Sequence, residues 1–278
     1  MEFLQDANRL IKKFEAAIAN PVPVKGGTNL FAGVDLGTAY IVLAVVDQDG
    51  EPVAGAMRYA EVVKDGLLVD YVGALDIVRE LKREIEAKLG TELSTAGTAY
   101  PPGTAEADRR SIRYVAEGAG FKVATVVDEP TVAGRVLGIR NGAVVDIGGG
   151  TTGIAVIQDG EVIYVADEPT GGTHFTLVIA GAYHISYADA EQLKTDPQKQ
   201  QSLFPVVKPV MEKVASIIRR HIEQFQVDNL YLTGGASCFS GIEKVVEAYV
   251  GIPTWKPDNP FLVTPVGIAL SAQRNWEV

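Results

Sequence analysis

The sequence predicts an α/β fold of two lobes, each containing a mixed β-sheet. The first observation is an internal repeat, "AGVDLGTAYIVLAVVDQDGEPV" at residues 32–53 and "AVVDIGGGTTGIAVIQDGEV" at residues 143–162. Each segment is an apolar run, an aspartate, a turn of glycine and threonine, an alternating apolar run and an Asp-Gly turn. The second is that strands alternate with helices after each of these hairpins, which is typical of α/β domains. The third is the length, because 278 residues can form two domains of ordinary size.

The composition excludes several classes of protein. With 47% hydrophobic and 22% charged residues, the chain is typical of globular rather than disordered proteins. A net charge of -10 argues against a nucleic-acid partner, since phosphate backbones are bound by lysine and arginine. The single cysteine, Cys238, cannot form an internal disulfide, which favours the cytoplasm. Arg9 and Lys12 interrupt the first apolar residues, and no apolar run approaches the roughly 20 residues of a membrane span, so neither a signal peptide nor a membrane partner is expected.

Residues 1–29 are expected to form an amphipathic helix and a linker. Apolar side chains recur at helical spacing over residues 1–19, and "NPVPVKGGTN" then breaks the helix. Such a helix either packs on its own domain, which is the favoured interpretation, or docks on a partner protein. The face expected to be covered consists of Phe3, Leu4, Ala7, Leu10, Ile11, Phe14 and Ile18.

The first lobe is expected to span residues 30–140 plus 265–278. Two strands are joined by the Asp49-Gly50 turn, and Thr104 is a candidate helix cap. In order, the predicted elements are strands within 30–47 and at 51–60, a helix at 72–89, a strand at 94–100, a helix at 104–117, a strand at 121–127 and a closing helix at 264–272.

The second lobe, residues 141–264, is expected to repeat this plan. Its predicted elements are hairpin strands within 143–167, helices near 173–183 and 202–226, a strand at 230–233 and a helix at 238–249.

The glycines after Asp146 match a dinucleotide-binding pattern, but their context differs. Gly148, Gly150 and Gly153 fit G-x-G-x-x-G, yet a β-branched strand follows them where that motif requires a helix. A glycine turn between strands can still bind a phosphate through backbone N–H groups. Asp146 would repel the phosphate unless Mg²⁺ lay between them, and Asp35 has the same surroundings in the first repeat. Either segment alone is also typical of an ordinary hairpin turn, and for the first segment alone that interpretation is favoured. The matching pair favours a nucleotide triphosphate held between the lobes.

Five short segments carry a more specific signal. In chain order they are "GVDLGTAY" at 33–40, "VVDEPTVAGRVLG" at 126–138, "VVDIGGGTTGIAVI" at 144–157, "LYLTGGASCFSGI" at 230–242 and "VTPVGIALSAQ" at 263–273. They resemble the phosphate 1, first connecting, phosphate 2, adenosine and second connecting motifs of the actin and Hsp70 nucleotide-binding superfamily. The resemblance implies a two-lobed actin-like ATPase fold, ribonuclease H-like in each lobe, with shortened outer subdomains.

The resemblance also implies an ATP site with Mg²⁺. Glu129 would orient the attacking water, and Asp35 and Asp146 would hold the metal through water. Contacts with ATP or ADP are implied for small and hydroxyl residues of the glycine-rich turns and for two charged residues of "AEQLK", a segment similar to one in bacterial actins. These residues are Gly37, Thr38, Gly148, Gly149, Gly150, Thr151, Thr152, Gly171, Gly172, Glu191, Lys194, Gly234, Gly235 and Ala236.

Several alternatives stay open at this point. Glu129 before Pro130 is also typical of a helix start, although the catalytic role is favoured because the other motifs surround it. Asp128 could equally be a strand-end residue that faces solvent. No lysine matches the one that assists hydrolysis in Hsp70, so a nucleotide switch with negligible turnover is an alternative to an ATPase. A filament-forming protein and a small-molecule kinase are others. The spacing of His174, His184 and His221 matches no zinc motif, and Cys238 is expected to be a buried, inert thiol.

Within this superfamily the chain is most similar to a short Hsp70-like branch encoded with bacterial microcompartment components. That resemblance implies an assembly factor or chaperone for ethanolamine utilization, cytoplasmic or associated with the microcompartment. The implied protein partners are an ethanolamine ammonia-lyase or shell proteins.

Overall fold

A computed structural model describes residues 4–64 and 66–275, and these form two compact units. Unit 1 contains the described residues up to Gly138 together with those from Leu262 onward, and unit 2 contains Ile139–Phe261. Each unit has its own buried apolar cluster and its own mixed sheet. The predicted α/β class is therefore confirmed.

Unit 1 has a main sheet of strand order β3-β2-β1-β6-β7. Strand β1 is antiparallel to β2 and parallel to β6, and β6 is parallel to β7. Its elements, in chain order, are α1 (Gln5–Ala19), β1 (Leu30–Leu36), β2 (Tyr40–Asp47), β3 (Pro52–Tyr59), β4 (Val63–Lys64), β5 (Leu67–Leu68), α2 (Tyr71–Leu89), β6 (Thr95–Tyr100), α3 (Glu106–Gly118), β7 (Lys122–Asp128) and α4 (Glu129–Leu137).

Unit 2 has a sheet of order β10-β9-β8-β11-β12, which repeats the arrangement of unit 1. Its elements are β8 (Gly142–Ile147), β9 (Thr152–Gln158), β10 (Glu161–Glu168), α5 (Gly172–Tyr183), α6 (Tyr187–Thr195), α7 (Gln200–Ile222), β11 (Leu230–Thr233), α8 (Ile242–Val250) and β12 (Thr254–Trp255). The last helix, α9 (Val263–Arg274), belongs to unit 1.

The hairpin between β9 and β10 turns at Asp159-Gly160, as the sequence predicts. Both residues have positive φ, 55° and 90°, which a two-residue turn between twisted strands requires. The corresponding hairpin of unit 1 turns at Asp49-Gly50, where Gly50 has φ 81°. Asp-Gly pairs therefore fix the hairpins of both repeats.

Helix α1 packs on strand β3, so the favoured prediction of self-packing is confirmed. Ile11 and Phe14 are fully buried. Gly55 in β3 makes this contact possible, because a β-carbon there would lie 2.5 Å from Phe14 Cε2. Of the residues predicted for the covered face, Phe3 lies outside the described residues.

Helix α9 lies in the interior of unit 1, against β1, β2 and α4. Its residues Val263–Ala272 are all buried, as expected for a helix that is apolar on all sides. A β-carbon at Gly33 in β1 would lie 2.5 Å from Ala269 N, so the helix contacts the strand backbone directly. The Ser271 and Thr125 hydroxyls form a buried hydrogen bond of 2.8 Å between α9 and β7.

Two predicted helix starts are wrong. Thr104 does not cap α3, because its hydroxyl donates to Pro101 O at 2.5 Å and Ala105 takes the N-cap position without a side-chain bond. The helix predicted from residue 238 begins at Ile242 instead, because Gly241 is left-handed, with φ 86°. Residues Gly235–Cys238 form a separate 3-10 turn.

None of the helices within the described residues is long and apolar enough to cross a membrane.

Candidate functional site

The glycine-rich turn between β8 and β9, residues 148–151, is here called the phosphate loop. Gly148 N–H donates to Thr151 O at 2.9 Å and closes the turn. The same bond occurs in the repeat of unit 1, where Gly37 N–H donates to Tyr40 O at 3.0 Å. In both units the bond follows an apolar strand whose penultimate residue is an aspartate, Asp35 in β1 and Asp146 in β8. The two repeats thus share backbone geometry as well as residue pattern.

The start of α5 holds the phosphate loop in place. Gly172 N–H donates to Gly148 O at 2.9 Å, and Thr173 N–H donates to Gly149 O at 2.7 Å. Gly171 must be small, because a β-carbon there would lie 2.7 Å from Gly148 O. The structure therefore brings the predicted Gly171 and Gly172 against the predicted loop glycines.

The two threonines of this region differ in their surroundings. Thr152 is fully buried, and its hydroxyl donates to Thr170 O at 2.5 Å. Thr151 is also buried, and it acts to lower the pKa of the Asp167 carboxyl. The bond of the Thr152 hydroxyl helps to fix the loop.

Asp146 lies near the carboxyl end of β8 and is 5% exposed. Its Oδ2 accepts a hydrogen bond of 3.2 Å from Thr233 on the parallel strand β11. The next residue, Gly234, has φ 85° and ψ 163°, and a β-carbon there would overlap Asp146 Oδ1 and lie 2.5 Å from Ile147 O. The phosphate and adenosine motifs of the sequence therefore meet at Asp146 and Gly234.

A second carboxylate, Asp167, lies on the same face as Asp146 and was missed by the sequence analysis. Asp146 pairs with Gly153 across β8 and β9, and Asp167 pairs with the same Gly153 across β9 and β10. Directly paired residues project to the same side of a sheet, and Gly153 places no side chain between the two acids. Counting the register from the Asp159-Gly160 turn would have placed Ala166 opposite Gly153, because an irregularity between Val162 and Tyr164 shifts the pairing by one residue. No local sequence signal therefore identifies Asp167.

The carboxyl of Asp167 loses its proton less readily than an ordinary aspartate. Burial raises the pKa of its carboxyl to about 7; the hydrogen bond from Thr151 opposes this rise, and the charges of Asp146 and Glu168 add to it. Among the described residues, Asp167 Oδ1 is a buried atom with no hydrogen-bond partner.

The raised pKa predicts that Asp167 makes the fold less stable as the pH rises. The folded protein binds this proton more tightly than the unfolded chain, so the stabilisation is complete below the ordinary pKa of 3.8 and is lost as the pH rises through about 7. We therefore compare the free energy of unfolding of Asp167→Asn with that of the native protein. We expect the difference to shift in favour of the variant by about 1–3 kcal/mol between about pH 5 and about pH 8. Urea unfolding without nucleotide or divalent cations measures this difference.

Glu161→Gln, at the exposed opposite end of β10, is the control for this prediction. An equal pH response of the two variants would contradict the environment assigned to Asp167.

The segment after β11 forms the adenosine turn, defined as Gly234 with the 3-10 turn Gly235–Cys238. Lys256 Nζ holds the end of this turn by donating to Ser237 O at 2.9 Å and Phe239 O at 3.1 Å. Ala236 is buried against the core of unit 2. The expectation of a buried thiol is wrong, because Cys238 is exposed.

Glu191 and Lys194 on α6 belong to a partly buried polar network. Lys194 Nζ donates to Glu191 Oε2 at 2.7 Å, to Thr176 Oγ1 at 2.9 Å and to Gly172 O at 3.2 Å. Desolvation lowers the pKa of Lys194, while the charge of Glu191 opposes that shift. These contacts tie α6 to the N-terminal end of α5, next to the phosphate loop.

The candidate residues of unit 1 lie at the carboxyl edge of its parallel strands. Asp35 is near the end of β1, and Gly37 and Thr38 follow in the turn to β2. Glu129 opens α4 directly after β7. Ligands of open α/β sheets bind at this edge.

Asp128 caps α4 and is 6% exposed, so the alternative of a solvent-facing strand end is wrong. It accepts a hydrogen bond from Thr131 N–H at 3.0 Å. Its register partner Tyr100 lies under Arg109, whose Cζ is 4.3 Å from the ring centroid. Burial raises the pKa of Tyr100, Arg109 lowers it and Asp128 raises it. Glu129 therefore follows a residue that is fixed by the fold.

The histidines occupy separate places in unit 2. His221 Nε2 is 2.9 Å from Glu168 Oε1, and His221 Nδ1 is 2.7 Å from Tyr164 OH, which ties α7 to β10. His174 Nδ1 accepts a bond from Gly171 N–H at 3.4 Å, and His184 ends α5 with φ 54°. Across the described residues, no group of three or more His, Cys, Asp or Glu side chains is arranged to hold a metal ion.

Two mixed sheets of one topology, each opening with an Asp-Gly hairpin, define an actin- and Hsp70-like fold. Comparison with known proteins agrees: the MreB/Mbl protein family matches residues 53–195, and the type IV pilus assembly protein PilM family matches residues 139–268. The chain belongs to the family of the ethanolamine utilization protein EutJ.

The relatives that show this cover nearly the whole chain. The ethanolamine utilization protein EutJ of Salmonella typhimurium is 42% identical over 94% of this chain and 92% of its own length. The crystal structure of EutJ from Carboxydothermus hydrogenoformans has 48% identity and a TM-score of 0.88, covering 97% of this chain and 98% of that one. MreB5 of Spiroplasma citri, solved with ADP, shares the fold at 17% identity with a TM-score of 0.70, covering 89% and 97%.

Proposed function

We propose that this protein binds ATP and ADP together with Mg²⁺ and hydrolyses ATP slowly. The observation that carries the proposal is the repeated hairpin turn, in which an aspartate at a strand end is followed by the closing bonds of Gly37 and Gly148. Glycine turns of this kind let phosphate oxygens approach backbone N–H groups closely. The MreB5 structures with ADP and AMPPNP show that this fold is compatible with nucleotide binding.

On this proposal, the residues of unit 2 divide the work between phosphate and adenosine. Gly149 and Gly150 give the phosphates access to the loop backbone, with Thr151 beside them. Gly172 and Thr173 hold the loop carbonyls and so orient its N–H groups. Gly234, Gly235 and Ala236 form the surface for the nucleoside, and Glu191 and Lys194 lie at the same end of α5.

The acidic residues present fit a magnesium ion. Asp146 is a buried carboxylate whose charge contributes to the raised pKa of Asp167, and a cation would offset this negative charge. Carboxylates are ligands that Mg²⁺ prefers, and it keeps several of its waters. Asp35 and Asp146 would hold it through those waters. When bound, the ion would neutralise charge on the phosphates.

Glu129 is proposed to orient the water that attacks the terminal phosphate. Its place at the carboxyl edge of unit 1, after the fixed Asp128, supports this role. We expect Glu129→Gln to slow phosphate release by about tenfold or more, since positioned acid–base groups commonly contribute at least that much. ATP affinity should stay within about twofold, because the amide keeps the side-chain volume. Single-turnover phosphate release and equilibrium titration measure the two quantities.

Glu92→Gln, at an exposed position of unit 1, is the control. Equal rates of phosphate release for the native protein and Glu129→Gln would show that Glu129 has no catalytic role. ATP binding without any release in the native protein would instead favour a switch with negligible turnover, as the missing Hsp70-type lysine suggests.

For the cell, we propose an assembly factor or chaperone for ethanolamine utilization, in the cytoplasm or at a microcompartment. The names of the 42–48% identical relatives support this pathway. The protein partners proposed are ethanolamine ammonia-lyase or shell proteins. Nucleotide-dependent co-sedimentation with each purified candidate tests the proposal, and no binding in either ATP or ADP would reject it for that candidate.

The MreB/Mbl family match favours a filament-forming protein as the second candidate function. Sedimentation with and without ATP and Mg²⁺ separates the two. A nucleotide-dependent pellet would support filaments, and a monomer at high concentration would reject them.

A further inference from the structure

Gln200, the first residue of α7, bonds to two segments that the nucleotide proposal places on the adenosine side. It is 7% exposed. Its Nε2 donates to Lys194 O at the end of α6, at 3.3 Å. Its Oε1 accepts from both Ser240 N–H at 2.9 Å and Ser240 Oγ at 2.7 Å, just after the adenosine turn. Both the nitrogen and the oxygen of this amide are therefore hydrogen-bonded, the nitrogen to α6 and the oxygen to the residue after the adenosine turn.

These two segments also approach each other beside the phosphate loop. A β-carbon at Gly172 would lie 3.4 Å from both Ala236 Cβ and Lys194 Nζ. Gly172 N–H holds the phosphate loop, whereas Ala236 and Lys194 belong to the adenosine turn and to α6. Both α6 and the adenosine turn therefore lie close to Gly172, and under the proposed function their spacing would set the width of the surface for a nucleoside.

We infer that Gln200 is a positioning residue that fixes the adenosine half of the nucleotide site by joining Lys194 O to Ser240. The inference rests on the proposed function. Joining Lys194 O to Ser240 requires a side chain that both donates and accepts hydrogen bonds, and an amide does both. Glutamate keeps the acceptor for Ser240 but loses the donor to Lys194 O. Leucine can form neither bond, so Lys194 O and Ser240 are no longer joined.

The test compares Gln200→Leu with Gln201→Leu, since the neighbouring Gln201 is exposed in the same helical turn. We expect Gln200→Leu to lower Mg²⁺-ATP affinity by about tenfold or more relative to Gln201→Leu. In the nucleotide-free protein, hydrogen exchange at the Ser240 amide should accelerate. Exchange at the Gly172 and Thr173 amides should not change, because their bonds to the phosphate loop are separate.

If Gln200→Leu does not fold, Gln200→Glu replaces it in the test. For that variant we expect ATP affinity to fall by about threefold or more. The inference is overturned if ATP affinity stays within about twofold of the Gln201→Leu value. It is also overturned if the Gly172 and Thr173 amides lose protection together with Ser240, since that indicates general loosening. A native protein that binds no ATP overturns the proposed function itself, a result distinct from either of these.

Discussion

Gly234→Ala is expected to destabilise unit 2 and to abolish measurable ATP binding. The residue combines φ 85° with ψ 163°, a region that is essentially confined to glycine. The added β-carbon would also overlap Asp146 Oδ1 and Ile147 O, so either the adenosine turn or the end of β8 must move. Backbone strain and overpacking together cost about 2–5 kcal/mol. Urea unfolding and an ATP titration measure the two effects.

Two glycines of the same unit provide matched controls for this variant. Gly251 has φ 79° with nothing near its β-carbon position, so Gly251→Ala reports backbone strain without a clash. Gly235 lacks the left-handed φ, and its nearest contact is 3.5 Å, so Gly235→Ala is expected to be mild. If Gly234→Ala unfolds at the same urea concentration as Gly251→Ala, the added β-carbon does not clash with Asp146, and the close approach of Gly234 to Asp146 is contradicted.

The second large effect is expected at helix α1. Phe14 is fully buried, and its ring lies against the backbone of β3 at Gly55. Removing a buried phenylalanine side chain costs about 3–5 kcal/mol, a large part of a typical domain stability. Phe14→Ala should therefore lower the free energy of unfolding of unit 1 by about that amount, and deletion of residues 1–25 should unfold it. Denaturant unfolding followed by circular dichroism measures both.

Glu15→Ala changes an exposed position of the same helix and is expected to shift stability by less than about 0.5 kcal/mol. A deletion that leaves stability unchanged would contradict the packing of α1. In that case the helix would be available to a partner protein, the alternative interpretation of its apolar face.

Short-range sequence signals predict the hairpins and the class of the fold well. Asp49-Gly50 and Asp159-Gly160 set turn positions through local conformational preference. The apolar runs before them form β2 and β9, which are buried along nearly their whole length. The G-x-G-x-x-G match at Gly148 is rejected by the same local information, since a strand follows it. The repeat of the two segments reappears as one strand order in both sheets.

Features that depend on tertiary contacts were predicted less well from the sequence. Helix α6 was not predicted because only Ala190 of its nine residues is buried, so it has no apolar stripe, and it begins at the cap formed by Ser186 and the Asp189 amide. Thr104 has the chemistry of a cap, but the Pro101 carbonyl competes for its hydroxyl. Gly241 has a φ that the spacing of apolar residues does not reveal.

Asp167 shows the same limit within the candidate site. Its proximity to Asp146 depends on two strand registers that both include Gly153. The catalytic and nucleotide-binding roles of Glu129, Asp35 and the loop glycines stay predictions, since they depend on a ligand.

Titration calorimetry of the native protein with ATP, in the presence and absence of Mg²⁺, tests the central claim most directly. The account predicts a saturable binding heat, and an ATP affinity that rises when Mg²⁺ is added, because the proposed function has Asp35 and Asp146 hold the metal through water. Flat heats with ATP and with ADP under both conditions would contradict it.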